Sequence, residues 1–144
     1  MNYKIRGRVP NDIEFITSSL LNYYKQYSAW GKSMSKDVFM KNHSMQLNKV
    51  LKHCRFHVAC DPEEQKNILG FLITERGSNQ DIIHFAFVKK DFRGKGIMTD
   101  LVKMAKKYEN CIYTHKTSDK NVLLKAYKDP IFNPYRFLDG VNYV

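Results

Sequence analysis

No stretch of this 144-residue chain is apolar for long enough to cross a bilayer, which excludes a transmembrane helix of ordinary length. The opening residues, MNYKIRGRV, lack the apolar core of a secretory signal. Cysteine is scarce. Cys54, Cys60 and Cys111 stand far apart, without a CxxC or CxxC…HxxxH pattern. That spacing excludes the usual structural zinc sets, and no metal is expected. An odd count with no leader fits reduced, buried thiols and a cytoplasmic location. Acidic residues are outnumbered: 14 Asp and Glu face 24 Lys and Arg, for a net charge of +10. Such a surface repels polycations and favours nucleic acid, a polyphosphate co-substrate or an acidic protein. No repeat, linker or low-complexity tract divides the chain, so residues 1–144 read as one domain. A domain of this size buries roughly two-thirds of its unfolded surface, enough for one core.

Hydrophobic spacing orders the chain. A first strand is expected over Tyr3–Val9, ended by Pro10, with Asn11 or Asp12 capping a helix. That helix carries the stripe Ile13, Ile16, Leu20, Tyr24 and Tyr27. A break over Ser28–Ser35 holds Trp30 and Gly31. A second helix runs from Ser35 to about His53 on the stripe Met40, Leu47, Leu51 and Cys54. Arg55–Cys60, Asn67–Arg76 and Asp81–Val88 read as three strands close enough to pair antiparallel. A helix with the stripe Met98, Leu101, Ala105 and Tyr108 follows. Then come a strand over Cys111–Lys116 and a helix over Asp119–Lys128, stopped by Pro130 and Pro134. Asp139-Gly140 turns a last short hairpin through Val141–Val144. The order β-α-α-β-β-β-α-β-α with a short β tail implies an α/β fold: a mixed sheet with helices on both faces.

One segment points to a ligand. Residues 82–108, IIHFAFVKKDFRGKGIMTDLVKMAKKY, form a strand, a basic turn and an amphipathic helix. Glycines at a helix start leave backbone N–H groups unobstructed, and the positive end of the helix dipole adds to them. The result suits a phosphate. A Walker A loop does not fit: Gly31-Lys32-Ser33 has its tail, but Gln26 stands in place of the first glycine, after a helix. A Rossmann turn fits poorly. Gly94-Lys95-Gly96 supplies two glycines and Asp119 a distant acid, but Thr99 replaces the third glycine. The antiparallel strands upstream also conflict with a parallel nucleotide-binding half.

The element order and the run Val88, Asp91-Phe92-Arg93-Gly94-Lys95-Gly96-Ile97-Met98 resemble the GNAT family of N-acetyltransferases. The loop is similar to that family's (Gln/Arg)-x-x-Gly-x-(Gly/Ala) signature, and the specific match covers about residues 82–102. The resemblance implies acetyl-CoA as co-substrate. Its pyrophosphate would lie on the backbone of Arg93, Gly94, Lys95, Gly96, Ile97 and Met98, with Thr99 next. Its pantetheine arm would lie along Phe87-Val88. Lys89, Lys90 and Lys95 would add positive potential. Met98 departs from the family's Gly or Ala; if it points into the core, its amide still faces the phosphate.

Acetyl transfer to an amine needs a base for the amine proton and an acid for the leaving thiolate. The resemblance suggests His84 as base, on the strand face shared by Ile82, Ala86 and Val88, with Glu75 as second candidate. It suggests Tyr127 as acid, one residue off the family spacing, and Asn121 as a pantetheine contact. Tyr27 and Trp30 would lie by the acceptor. Each has a plainer reading: a buried hydrogen-bonded histidine, a strand-end carboxylate, core aromatics, a helix-start asparagine. Three functions stay open: direct N-acetylation of an amine acceptor, a GNAT-like binding or structural protein of phage or mobile-element type, and a basic nucleic-acid module. No nucleic-acid-binding signature supports the last.

Overall fold

The computed structural model describes residues 2–116 and 120–138. The expected Asp139-Gly140 hairpin, Asp119 and the Trp30 side chain lie outside what is described. Elements run β1 (Lys4–Arg6), α1 (Asp12–Tyr27), α2 (Ala29–Ser33), α3 (Lys36–Leu51), β2 (Cys54–Cys60), β3 (Ile68–Arg76) and β4 (Asp81–Val88). A 3-10 turn (Lys90–Phe92) leads to α4 (Ile97–Ala105), β5 (Cys111–Tyr113), α5 (Lys120–Ala126), β6 (Ile131–Phe132) and α6 (Tyr135–Leu138).

The strands form one six-stranded sheet in the order β1-β2-β3-β4-β5-β6. β1 to β4 pair antiparallel; β5 joins β4, and β6 joins β5, in parallel. The mixed α/β sheet expected from the sequence is therefore present, with apolar clusters on both faces. On one face Ile16 and Leu20 of α1, Phe39 and Leu47 of α3 and Phe137 of α6 pack on Phe71, Ile73 and Phe85. On the other, Ile97, Leu101 and Val102 of α4 and Leu123 of α5 pack on Leu69, Leu72 and Ile83. No described helix is long and apolar enough to cross a membrane.

Several expected boundaries shift for identifiable reasons. The first strand is only Lys4–Arg6. Asn11 makes no side-chain cap; the buried Asp12 carboxylate instead accepts from the Val9 amide at 2.8 Å. The break over 28–35 contains a short helix, α2, capped by Ser28 accepting from the Gly31 amide at 2.8 Å. The buried face of α3 is Phe39, His43, Leu47, Val50 and Leu51; the expected Leu47 and Leu51 are on it, Met40 is only partly buried beside it, and Cys54 begins β2 instead. In α4 the buried residues are Ile97, Leu101 and Val102; the helix ends at Ala105 and leaves Tyr108 outside. β5 stops at Tyr113, short of Lys116. The segment between Pro130 and Pro134, read as a stop, adds the edge strand β6. Proline is tolerated just ahead of an edge strand because the strand needs no donor there.

Arg6 holds the start of α1. Its Nη1 and Nη2 donate to Asp12 at 2.7 and 3.0 Å. Burial works to raise the Asp12 pKa, but the Arg6 bonds and the Val9 amide outweigh it and hold the carboxyl below its ordinary range. A carboxylate with a lowered folded pKa stabilises above its unfolded pKa, and that stability is lost as pH falls through the folded value. We expect Asp12→Asn to cost about 2 kcal/mol at pH 7, since the half-buried Arg6 charge loses its carboxylate partner. Urea denaturation should show the gap from wild type closing below pH ~4, the range where unfolded Asp protonates.

Candidate active site

An extra residue in β4 shapes this region. β3 and β4 pair as Ile73↔Phe85 and then Thr74↔Ile83, so His84 has no partner across the ladder. This is a β-bulge, which re-aims the side chain at the insertion. The alternation that grouped His84 with Ile82, Ala86 and Val88 is therefore broken. Ile83, Ala86 and Val88 pack on the α4–α5 side. The His84 ring lies on the opposite side, 6.0 Å from the Phe137 ring and 6.4 Å from that of Phe85.

β5 then leaves β4. Their last parallel pair is Ile83↔Tyr113, followed by one bond from the Thr114 amide to the Ile83 carbonyl at 3.0 Å. Beyond this fork β4 continues to Val88, and no described strand pairs with it on the β5 side. A strand edge of this kind can take an extended ligand as an added strand.

The open edge leads to the basic turn. Gly94 and Gly96 adopt φ of +76° and +87°, the left-handed region that favours glycine. A Cβ at either glycine would meet nothing within 4 Å, so the demand is conformational. Gly96 precedes α4 and supplies no capping side chain. The first amides of a helix lack intrahelical partners, and the residues that carry them here, Ile97, Met98 and Thr99, line a groove of about 300 Å³. Its walls include Ala86, Val88, Arg93, Gly94, Gly96, Met98 and Thr99. Arg93 Nε donates to the Val88 carbonyl at 2.8 Å and fixes the turn against the strand end. Lys95 is exposed beside it, whereas Lys89 bonds Asn67 at 3.3 Å and lies over the Phe15 ring.

The other expected ligand contacts divide between backbone and side chain. Ile97 is buried in the core, so only its backbone is available to the groove. Phe87 turns its ring toward Phe71 and Tyr23 on the far face, leaving its main chain on the open β4 edge. Met98 is half-buried, packs on the α4–α5 cluster and forms part of the groove wall. Asn121 is exposed and lines a neighbouring groove with Lys103, Lys106 and Lys125. Thr99 and Val122 belong to both grooves.

Across the sheet lies a chain of buried polar groups. Glu75 pairs with Arg136 of α6 at 2.5 Å, and its Oε1 is 3.7 Å from His84 Nε2. That nitrogen has no hydrogen-bond partner among the described residues, and the His84 side chain is fully buried. His84 Nδ1 lies 3.0 Å from Thr114 Oγ1, which is 2.9 Å from His115 Nδ1. One hydroxyl can donate to one ring and accept from the other. Thr114 and His115 reach a cavity of about 440 Å³ bounded by α1, α2, α3 and the β5–α6 segment. Tyr27 is on its wall. Gly31 permits the tight α1–α2 corner there, since a Cβ would meet the Tyr24 carbonyl at 2.2 Å.

Glu75 is thus a buried ion-pair partner, not an exposed strand end. Thr114, His115 and His43 escaped the sequence reading. His43 showed itself only as a polar residue on the buried face of α3, and His115 lay inside a segment read as strand. Burial pushes the His43 pKa down to about 4. Burial, with repulsion from His43 and His84, holds His115 well below the ordinary range. Both rings are neutral at pH 7. Burial also pushes the Cys111 thiol up to about 12 and raises Cys54, which makes them poor nucleophiles.

Tyr127 does not meet this group. Its hydroxyl donates to Asp81 at 2.8 Å, and its ring belongs to the α4–α5 cluster. It lines neither the groove nor the cavity. Burial and the Asp81 bond raise its pKa, the opposite of what an easy proton donor needs. The same carboxylate accepts from the Lys107 and Tyr108 amides at 2.9 and 3.3 Å, where α4 ends. Tyr127→Phe should therefore lower stability by about 1–2 kcal/mol, the worth of a hydrogen bond to a charged group. Turnover per folded molecule should not change. Gly96→Ala should cost about 1–2 kcal/mol through left-handed backbone strain. Chemical denaturation checks both stability effects, and an assay of the folded Tyr127→Phe variant checks the first.

The comparisons agree with this geometry. The sequence profile of the acetyltransferase (GNAT) family matches residues 18–128. No curated protein matches the chain by sequence. Among solved structures, a protein of Pyrococcus furiosus provisionally described as an acetyl transferase aligns with a TM-score of 0.65 at 17% identity. The alignment covers 86% of this chain and 89% of that one. A possible acetyltransferase from Clostridium difficile 630 aligns at 0.55 with 18% identity, covering 89% and 92%. A ribosomal-protein-alanine N-acetyltransferase from Brucella melitensis biovar Abortus 2308 aligns at 0.51 with 14% identity, covering 92% and 80%. At such identities the structures speak to the fold, and the profile, spanning most of the chain, speaks to descent: the chain belongs to the GNAT acetyltransferase family.

Proposed function

We propose that this protein transfers an acetyl group from acetyl-CoA directly to an amine. The observation that carries the reading is the left-handed Gly94/Gly96 turn, which sets an uncapped helix start at the end of an open β4 edge. The edge suits the amide-bearing pantetheine arm, and the helix start suits the pyrophosphate. Lys95 and the groove bearing Lys103, Lys106, Lys125 and Asn121 suit the remaining phosphate and nucleotide part of CoA. The net charge of +10 draws in this polyanion. The free thiols of Cys54, Cys60 and Cys111 fit a reducing compartment, the cytoplasm.

In this reading the thioester lies at the fork, with the acceptor on the other side of the sheet. The neutral amine attacks the carbonyl carbon. A C–N bond forms, the C–S bond breaks, and sulfur leaves with the bonding pair to take a proton from solvent in the open groove. The proton shed by nitrogen passes through His115 and Thr114 to His84. Glu75, 3.7 Å away, stabilises the imidazolium so formed. His84 is thus a base acting through Thr114, and Glu75 its electrostatic partner.

Acetyl-CoA at a hundredfold excess over its Kd should stabilise the protein by about 2.7 kcal/mol, a rise in Tm of roughly 5–10 °C. No shift at millimolar acetyl-CoA would sink the proposal in favour of a binding or structural role. His84→Gln should keep that shift and lose about 100-fold in kcat, the low end for general-base catalysis. Unchanged kcat would remove His84 from the mechanism.

A further inference from the structure

The cavity beyond the fork identifies a class of acceptor. Its walls are rings: Tyr23, Tyr24 and Tyr27 of α1, Phe39 and His43 of α3, then His115, Phe132 and Phe137. The rings are ordered against one another. His43 stacks on Phe39 at 4.8 Å and 12°, and His115 meets Tyr24 edge-on at 4.6 Å. Hydroxyls on the wall are largely occupied. Ser28 donates to the Tyr24 carbonyl at 2.5 Å, Tyr24 to the Lys116 carbonyl at 3.4 Å, and Thr114 joins two imidazoles.

Charge sharpens the fit. Among the described lining residues there is no carboxylate. Lys116 is the one lysine or arginine among them, with its ammonium 5.0 Å from the Phe132 ring centroid. The two wall histidines are neutral at pH 7 because burial lowers their pKa values. A guest carrying several ammonium groups would find no counter-charge among the described lining residues and would meet Lys116. A flat apolar guest finds ring faces and edges on several sides, in a volume ordinary for small-molecule sites.

We propose that the acceptor is a small primary amine carried on an aromatic ring, seated in this cavity with its nitrogen toward Thr114 and His115. The proposal rests on the acetyl-transfer reading and adds the acceptor class to it. Tyr27 is the residue to test, because it is 58% exposed and its loss leaves the core packing in place.

The experiment compares 2-phenylethylamine, butylamine, spermidine and a short lysine-containing peptide as acceptors, with CoA thiol release as the readout. Saturation-transfer NMR measures phenylethylamine binding in parallel, in the presence of CoA. The expected result is a kcat/KM for phenylethylamine at least tenfold above each of the others. Tyr27→Ala should raise its KM at least fivefold and weaken the NMR signal, while acetyl-CoA still raises Tm. A preference for spermidine or the peptide would overturn the aromatic assignment and leave the acetyl-transfer reading standing. So would absent phenylethylamine binding in a protein that binds acetyl-CoA. Failure to bind acetyl-CoA at all would remove the parent reading, and this one with it.

Discussion

The site depends on how briefly β5 stays beside β4. Three parallel pairs join them, from Asp81↔Cys111 to Ile83↔Tyr113, and then the strands part. The parting coincides with the bulge at His84. Together they create an open main-chain edge on one side and a polar cluster on the other. Had β5 continued to Lys116, as the sequence pattern implies, its backbone would have covered that edge. Thr114 and His115 would then have alternated across the sheet instead of meeting His84.

The bulge and the parting need support, and buried polar contacts supply it. Asp81 begins β4 and collects the amides of Lys107 and Tyr108 and the hydroxyl of Tyr127. It thereby ties the exit of α4 and the end of α5 to the start of β4. On the opposite face Arg136 reaches from α6 to Glu75, bringing Phe137 against His84. Charged groups buried in this way are costly when a partner is removed, so they fix geometry more than they add net stability. The fork is therefore braced from both faces.

This explains what could be read from the chain and what could not. The limits of β4, Asp81–Val88, and the turn and helix after it were legible because their causes are local: an apolar run between turns, glycine at left-handed positions, a helical stripe. The antiparallel run β2-β3-β4 was legible because its connections are short. The His84 orientation was not, because a bulge is a property of a strand pair. The role of Tyr127 was not, because Asp81 lies 46 positions away. His115 and Thr114 were missed because a strand pattern gives no sign of where pairing ends. β6 was missed because a two-residue strand carries no period.

The sheet also separates two kinds of recognition that would interfere in one pocket. The α4 side offers backbone amides, a helix dipole and lysines, all suited to phosphate and strongest where water is displaced. The α1–α3 side offers mainly rings and neutral imidazoles, with Lys116 as its one described cation, and so a much weaker match to phosphate. In the proposed transfer the amine must lose its charge before it attacks, and a basic protein would assist by disfavouring the ammonium form. Positive groups placed for the proposed co-substrate would thus help to prepare the proposed acceptor. Both effects converge at the fork, where Phe85–Val88 is the main chain shared by the two sides. A side chain that altered the β4 register there would move the phosphate groove and the ring-lined cavity relative to each other. The register shift at His84 therefore bears directly on how the groove and the cavity lie relative to each other.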